Sequence, residues 1–336
     1  MKRFRNLRKD QATRDQHTEV QVRASDFIYP YFVVAGQQKK QPIASLYGIH
    51  HFSIDTLLKD IAEVTALGIN KILLFGVVDQ TLKDEQGTSA YLSDNLVSSA
   101  VKAVKQEFPE LLIFTDVCLC GYTSHGHCGL INGNEIDNDT TIPLLAQMAL
   151  THAQAGADFV APSAMMDGQV EAIRKLLDSK GFHKTKILAY SAKYASNFYG
   201  PFRDAAQSSP SFGDRKSYQM DYRTIDQSTD EIGADLEEGA DWVMVKPAHA
   251  YLDVIQRAKS TFPQTPLVAY QVSGEYMMIK AAAAAGYLDE HNAMLEILTA
   301  IKRAGADYVI SYYAKTFVSK ITDRVDLTQT NCSQIH

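Results

Sequence analysis

Three cysteines crowd into TDVCLCGYTSHGHCG (115–129), and their spacing suits a metal centre. Side chains of an extended strand alternate with period two, so Asp116, Cys118 and Cys120 are expected on one face. A loop through Gly121 and Gly126 can then fold back and deliver Cys128. Three thiolates leave the fourth tetrahedral position of zinc open, the arrangement of catalytic rather than structural centres. His125 and His127 stand open to three readings: ligands, groups that orient the ligands, or acid–base groups. The competing explanation is a set of buried free thiols, which are common in cores. Alternation with a third cysteine nearby is harder to reconcile with packing.

Lys193 and Lys246 form the second constellation, each closing an apolar run, in YSAKY and VMVKP. On neighbouring strands their ammonium groups come within reach. Like charges in a partly dry site lower each other's pKa and leave a free amine at working pH, able to form a Schiff base with a ketone or aldehyde. The plainer alternative is one lysine that binds a carboxylate or phosphate and one that is simply exposed. Arg203 and Arg215, in GPFRDAA and FGDRKSYQ, add two planar forks suited to carboxylates. Without the other groups they would read as scattered charges on a solvated loop.

Something must bring these residues together. Eight short apolar runs recur: 27–34, 71–78, 111–119, 157–163, 186–192, 241–247, 266–272 and 307–313. Apolarity on both faces suits buried parallel strands. Segments with helical spacing lie between most of them, such as IDTLLKDIAEVTAL and AMLEILTAIKRA. The junctions AGAD (155–158), EGAD (238–241) and AGAD (304–307) place Gly where a helix closes and a strand begins, with LGIN (67–70) a looser copy. Alternating strands and helices predict a (β/α)8 TIM barrel of about 250 residues plus insertions. An open doubly wound sheet ranks second, because no glycine fingerprint follows the first strand. Residues 1–26 form a polar N-terminal arm, 27–336 the barrel, and 197–226 an insertion long enough to serve as an active-site lid.

Barrel active sites lie at the C-terminal ends of the strands. The polar residues there are Asp116 and the cysteines, Ser163, Ser191 with Lys193, Lys246, Ser273, and Tyr312 with Tyr313. Their convergence on one rim predicts an enzyme. The composition agrees: 46% hydrophobic and 21% charged residues exclude bulk disorder, and a net charge of −6 argues against nucleic acid. No apolar run reaches the roughly 20 residues of a membrane helix. The opening MKRFRNLRKDQATRDQ has no apolar stretch behind it, so a cytoplasmic location is expected.

The segments DVCLCGYTSHGHCG, APSAMMDG, SAKYASNFYGPFRDA, FGDRKSYQMD, MVKPAHAYLD, YQVSGEYMMIKAAA and KRAGADYVISYYAK resemble the 5-aminolevulinic acid dehydratase (porphobilinogen synthase) family. The likeness runs from about Asp26 to Ile321. It implies a (β/α)8 barrel that condenses two 5-aminolevulinate molecules into porphobilinogen, the pyrrole precursor of haem and other tetrapyrroles. It implies that Lys193 and Lys246 are the Schiff-base lysines, Lys246 holding the substrate that becomes the propionate side. Cys118, Cys120 and Cys128 would bind zinc beside the second substrate. Arg203, Arg215 and Gln219 on the lid, with Ser273 and Tyr312 on the rim, would hold carboxylates. Asp116 and Ser163 would line the second substrate's pocket, and Tyr199 and Phe202 would wall the site. Glu231 matches the position at which bacterial relatives bind an additional activating Mg2+ near a subunit interface, and reads equally as a solvated helix glutamate. The resemblance further implies a homo-octamer whose arms wrap neighbouring barrels.

Two departures from the family pattern stand out. Ala164 occupies a position where family members carry Asp, which bears on rate or pH optimum. Leu46-Tyr47-Gly48 replaces a Met-Pro-Gly turn and His51 a basic residue, both expected to lie far from the chemistry. The main alternatives are a class I aldolase-like barrel, needing neither the second lysine nor the cysteines, and a non-catalytic zinc-binding barrel.

Overall fold

Eight parallel strands close on themselves through the pairing of the first with the last. They are β1 (Phe27–Val34), β2 (Lys71–Val77), β3 (Leu112–Val117), β4 (Phe159–Pro162), β5 (Lys186–Lys193), β6 (Trp242–Lys246), β7 (Leu267–Gln271) and β8 (Tyr308–Ser311). Each neighbours the next in sequence, and Phe27 and Ile28 pair with Val309 and Ile310 to complete the ring. The computed structural model describes residues 1–320, so Cys332 and the far end of the expected 27–336 unit lie outside the described residues.

The strands form where the apolar runs fall, because their residues are buried on both faces: seven of eight in β1, and all in β6 and β7. Helices α1 (Ile54–Ala66), α2 (Leu96–Glu107), α3 (Asn138–Ala155), α4 (Gln169–Ser179), α5 (Asp226–Glu237), α6 (Leu252–Thr261), α7 (Ser273–Ala284) and α8 (Glu290–Ala304) surround the ring. α1 buries Leu57, Ile61 and Val64 at helical spacing against the sheet. Caps set the starts: the side chains of Asn95, Asp137 and Asp289 accept from the amides of Ser98, Thr140 and Asn292.

The repeated junction signature has a common physical basis. Gly156, Gly239 and Gly305 all take positive φ, between 103° and 123°, which a side chain would disfavour. The Asp that follows does the same work each time. Asp158, Asp241 and Asp307 accept from the amides of Ile113, Ile187 and Leu267 at 2.7, 2.8 and 2.8 Å. Each therefore pins the bottom of its own strand to the start of the preceding one.

The barrel floor is aromatic. Phe114 and Phe159 stack at 4.2 Å, Phe159 meets Trp242 at 4.6 Å, and Trp242 stacks on Tyr308 at 4.4 Å. Side chains two residues further along β6 reach Met244 and then Lys246, so the plug below and the lysine above share one face. Residues 1–26 hold only short helical turns, Phe4–Arg8, Gln11–Gln16 and Ala24–Asp26, with Phe4 and Leu7 exposed.

Candidate active site and metal centre

Lys193 and Lys246 occupy directly paired register positions on β5 and β6. A bulge makes this possible. Between the pairs Ala189–Val243 and Ala192–Val245, β5 carries one residue more than β6, which reverses the parity of the strand. Tyr190 and Lys193 consequently share the inner face. The Tyr190 ring lies beneath both lysines, 5.7 Å from the Lys193 Nζ and 5.0 Å from that of Lys246. Ser191 is turned outward toward Asp235, so it does not belong to the catalytic rim as its place near the strand end suggested. Tyr313 is likewise directed away, packing on Tyr276 at 4.4 Å, while Tyr312 faces the mouth.

The Lys246 Nζ sits in a cage of rings: Tyr270 at 4.4 Å, Tyr190 at 5.0 Å, Phe202 at 5.1 Å and Tyr199 at 5.2 Å. Burial, reinforced by the Lys193 charge, lowers its pKa to about 7. Part of the population is therefore free amine near neutral pH. Lys193 donates a short hydrogen bond to the Ser163 carbonyl. The Ser163 hydroxyl donates to Asp116 Oδ1 at 2.7 Å. Burial raises the Asp116 carboxyl to about 6, against the opposing pull of that bond and of Lys193.

The cysteines assemble beside this pair, by a route that differs from simple alternation. β3 ends at Val117, Cys118 is extended, and Leu119–Gly121 turns as a 3-10 helix that brings Cys120 round to the cluster. The Cys118 and Cys120 sulfurs are 3.3 Å apart, and the three sulfurs lie within 4.8 Å of one another, all buried. Hydrogen bonds from Cys118 and Cys120 hold the Cys128 thiol well below the usual range, whereas the same contacts push Cys118 up. Three soft sulfur donors converging on one point fit a thiophilic metal ion. His125 and His127 are not in the set. Both ring nitrogens of each are engaged elsewhere: His125 with Glu85 and the His127 amide, His127 with Tyr218 and Phe212. Ala164 is fully buried in the apolar cluster that contains the three cysteines.

The insertion closes over the mouth. Asn197–Tyr199 and Gly200–Ala205 form short helical turns, and the chain then runs as loop to α5. Phe202 reaches down onto Phe75 at 5.0 Å and Phe32 at 5.7 Å, and Tyr312 stacks beside Phe32. The Tyr199 hydroxyl donates to the Tyr194 carbonyl at 2.7 Å and approaches that of Lys246 at 3.3 Å, tying the lid to the ends of β5 and β6. Ser273 Oγ accepts from the Phe202 amide at 2.9 Å. The Leu46-Tyr47-Gly48 and His51 segment, expected to be remote, also touches the lid. His51 Nε2 lies 2.6 Å from the Ala205 carbonyl, and Ser45 donates to that of Pro201.

Several buried polar atoms here have no hydrogen-bond partner among the described residues: the amide oxygen and nitrogen of Gln219 and the Nε of Arg203 and of Arg215. Arg215 Nη2 is anchored on Gly126 and Ser208 carbonyls, which aims the rest of its fork. Unmet donors converging from a lid suit a small anionic ligand. Glu231 lies on α5 and lines a cavity of about 640 Å³ shared with Gln219, Tyr218 and Asp167, and beside it a groove of about 220 Å³ shared with Asp167, Asp235 and Glu238; burial and Asp167 raise its pKa. Tyr190, Tyr270 and the bulge carry no sequence signal of their own. Glu275, buried and accepting from the amides of Val272, Ala248 and Ala250, was also not singled out, although a Glu in the first turn of a helix is a readable cap.

Fold and mouth together define a (β/α)8 barrel enzyme with a buried lysine pair, an adjoining thiol cluster and a covering lid. A family model described as delta-aminolevulinic acid dehydratase matches residues 1–320. The delta-aminolevulinic acid dehydratase of Bacillus subtilis is 49% identical over 313 residues, 93% of this chain and 96% of its own. That of Synechococcus elongatus is 48% identical over 317 residues, 93% of this chain and 96% of its own. A crystal structure of the Toxoplasma gondii enzyme in complex with the reaction product porphobilinogen superposes with a TM-score of 0.95 at 44% identity, covering 98% of this chain and 94% of that one. The chain belongs to the delta-aminolevulinic acid dehydratase family.

Proposed function

We propose that this chain condenses two 5-aminolevulinate molecules to porphobilinogen with release of two waters, in the tetrapyrrole pathway that leads to haem. The observation that carries this reading is the register-paired lysine couple in its aromatic cage, with the sulfur trio beside it. The free amine of Lys246 attacks the ketone of the first substrate, whose oxygen leaves as water and whose carbon becomes an imine. This substrate becomes the propionate side. Lys193 forms the corresponding imine with the second, releasing the other water. The C–C and C–N bonds of the pyrrole then form as each lysine nitrogen is expelled and returns as free amine. Arg203, Arg215 and Gln219 hold carboxylates from the lid, and Ser273 and Tyr312 from the rim. Asp116 and Ser163 line the second pocket, where a carboxyl poised near neutrality can accept and return a proton. Tyr199 and Phe202 exclude water from the imines.

Cys118, Cys120 and Cys128 would hold Zn2+, whose contribution when bound is Lewis acidity toward the second substrate. The acidic groove at Glu231 is the proposed seat of an additional activating Mg2+. The exposed apolar residues of arm 1–26 support contact with a neighbouring barrel, and an octamer is the assembly proposed. No helix among the described residues is long and apolar enough to cross a membrane; the cytoplasm is the proposed compartment.

The deciding experiment is porphobilinogen formation by the purified protein, with and without a chelator. Product lost on chelation and regained with zinc supports substrate, reaction and metal together. Product that survives complete metal removal sinks the zinc role. No product under any metal, with no borohydride-trapped adduct, sinks the whole reading.

A further inference from the structure

The segment between Cys120 and Cys128 is stitched to the lid at four points that the chemistry above leaves unused. The Ser211 amide donates to the His125 carbonyl at 2.9 Å, and Arg215 Nη2 donates to that of Gly126 at 2.8 Å. Gly126 has φ +72°, and a side chain there would run into the Ser209 carbonyl, so loop and lid meet backbone to backbone. The His127 ring supplies the other two contacts. Its Nε2 lies 3.1 Å from the Phe212 carbonyl, which only accepts, so Nε2 carries the hydrogen. Its Nδ1 accepts from the Tyr218 hydroxyl at 3.1 Å.

His127 is therefore buried, adjacent in sequence to one sulfur donor, and fastened to the lid on both sides of Arg215. A histidine with both nitrogens engaged does not ligate. We propose that His127 is a positioning residue that couples occupancy of the three-sulfur site to closure of the lid, so that a bound metal sets Arg215 in place for the substrate carboxylate. The proposal rests on reading the cysteines as a metal centre. Fixing Cys128 fixes the backbone at 127, and the imidazole carries that constraint to Phe212 and Tyr218. By linkage, a closed lid strengthens metal binding by the same factor.

The experiment uses the full chain stripped of metal and reloaded with Zn2+ alone. Amide exchange is followed in lid residues 207–219, and bound metal is counted by equilibrium dialysis. Two hydrogen bonds of ordinary net strength correspond to roughly 30-fold in protection. Zinc is expected to slow lid exchange by roughly that factor in the native chain. In His127→Phe, which keeps the ring and loses both nitrogens, one metal should still bind while the lid stays as fast as in the stripped protein. Tyr218→Phe should lose part of the protection and serves if His127→Phe does not fold. Cys128→Ser should show neither metal nor protection.

Equal slowing in His127→Phe and the native chain overturns the proposal. So does a native lid indifferent to a stoichiometrically bound metal. A native chain that binds no metal overturns the cysteine reading itself, and dialysis reveals that failure before any exchange is measured.

Discussion

Lys193 and Lys246 are opposite one another in the β5–β6 register, over a single tyrosine ring that both ammonium groups approach within 6 Å. Two amines are thereby held in a dry pocket, where the Lys193 charge disfavours the protonated form of Lys246. Burial is the larger cause of the Lys246 shift to about 7, and the Lys193 charge comes second.

A signed pH prediction comes from this pair. A lysine is nucleophilic when deprotonated, so adduct formation at Lys246 should rise with pH through about 7 and level off above it. Lys193→Met removes the neighbouring charge and should move the rise to higher pH, toward the ordinary lysine range. Borohydride trapping of 5-aminolevulinate, located by peptide mapping, measures both curves. A rise that stays in place in Lys193→Met removes the electrostatic role. Lys246→Met should lose trapping at that position and turnover together.

Metal removal gives a second test. The three sulfurs are buried and bond chiefly to one another, so replacing one leaves a pair that closes only half of a tetrahedral site. Cys128→Ser should bind Zn2+ more than about 100-fold more weakly, since losing a donor outweighs the roughly 10–100-fold that losing a group that orients one costs, and should lose activity with the metal. Titration against a chromogenic chelator measures the affinity. Native affinity in the variant would remove Cys128 from the site.

Much of this architecture is legible in the chain because burial on both faces writes an unbroken apolar run. The eight runs and the eight strands agree to within a residue or two at each end, and β1 coincides with its run completely. The lysines and cysteines are legible because ionisable and soft side chains at the ends of such runs have few structural uses. What was hidden depends on non-local geometry. An extra residue in β5 reverses parity, so Ser191 reads as inward and Tyr190 as outward until the β6 partner is known. Cys120 joins its cluster through a turn that the preference for alternation masks. His51 reaches the lid only because its short strand lies beside β1, pairing with Phe32.

The Asp of the junction signature predicts a stability effect separable from catalysis. Asp158 accepts from the Ile113 amide and pairs with Lys105 at 2.7 Å, at the end of the barrel opposite the lysine couple. Asp158→Ala leaves that amide without its side-chain acceptor and should destabilise by about 1–3 kcal/mol. Asp158→Asn keeps an acceptor and should fall between. Urea midpoints of the three proteins measure the order, and adduct formation at Lys246 should be unchanged in all of them.

The lid arginine gives the last prediction. Arg215 spends one nitrogen on the carbonyls of Gly126 and Ser208, while its buried Nε has no partner among the described residues. A fork held from behind presents its remaining donors at a fixed angle, and lysine offers no such geometry. Arg215→Lys keeps the charge and loses the second bond to a carboxylate, a difference of about 1.5–3 kcal/mol, or roughly 10–100-fold. If the contact serves binding, the loss should appear mainly in KM for 5-aminolevulinate. If lid closure also orients the reacting imines, kcat should fall with it. Gln219→Leu removes an unpaired amide of similar size without touching the anchor, and its effect should lie in KM alone. Steady-state kinetics on the two variants separate holding the carboxylate from closing the lid: a KM unchanged in both would take the lid out of substrate recognition.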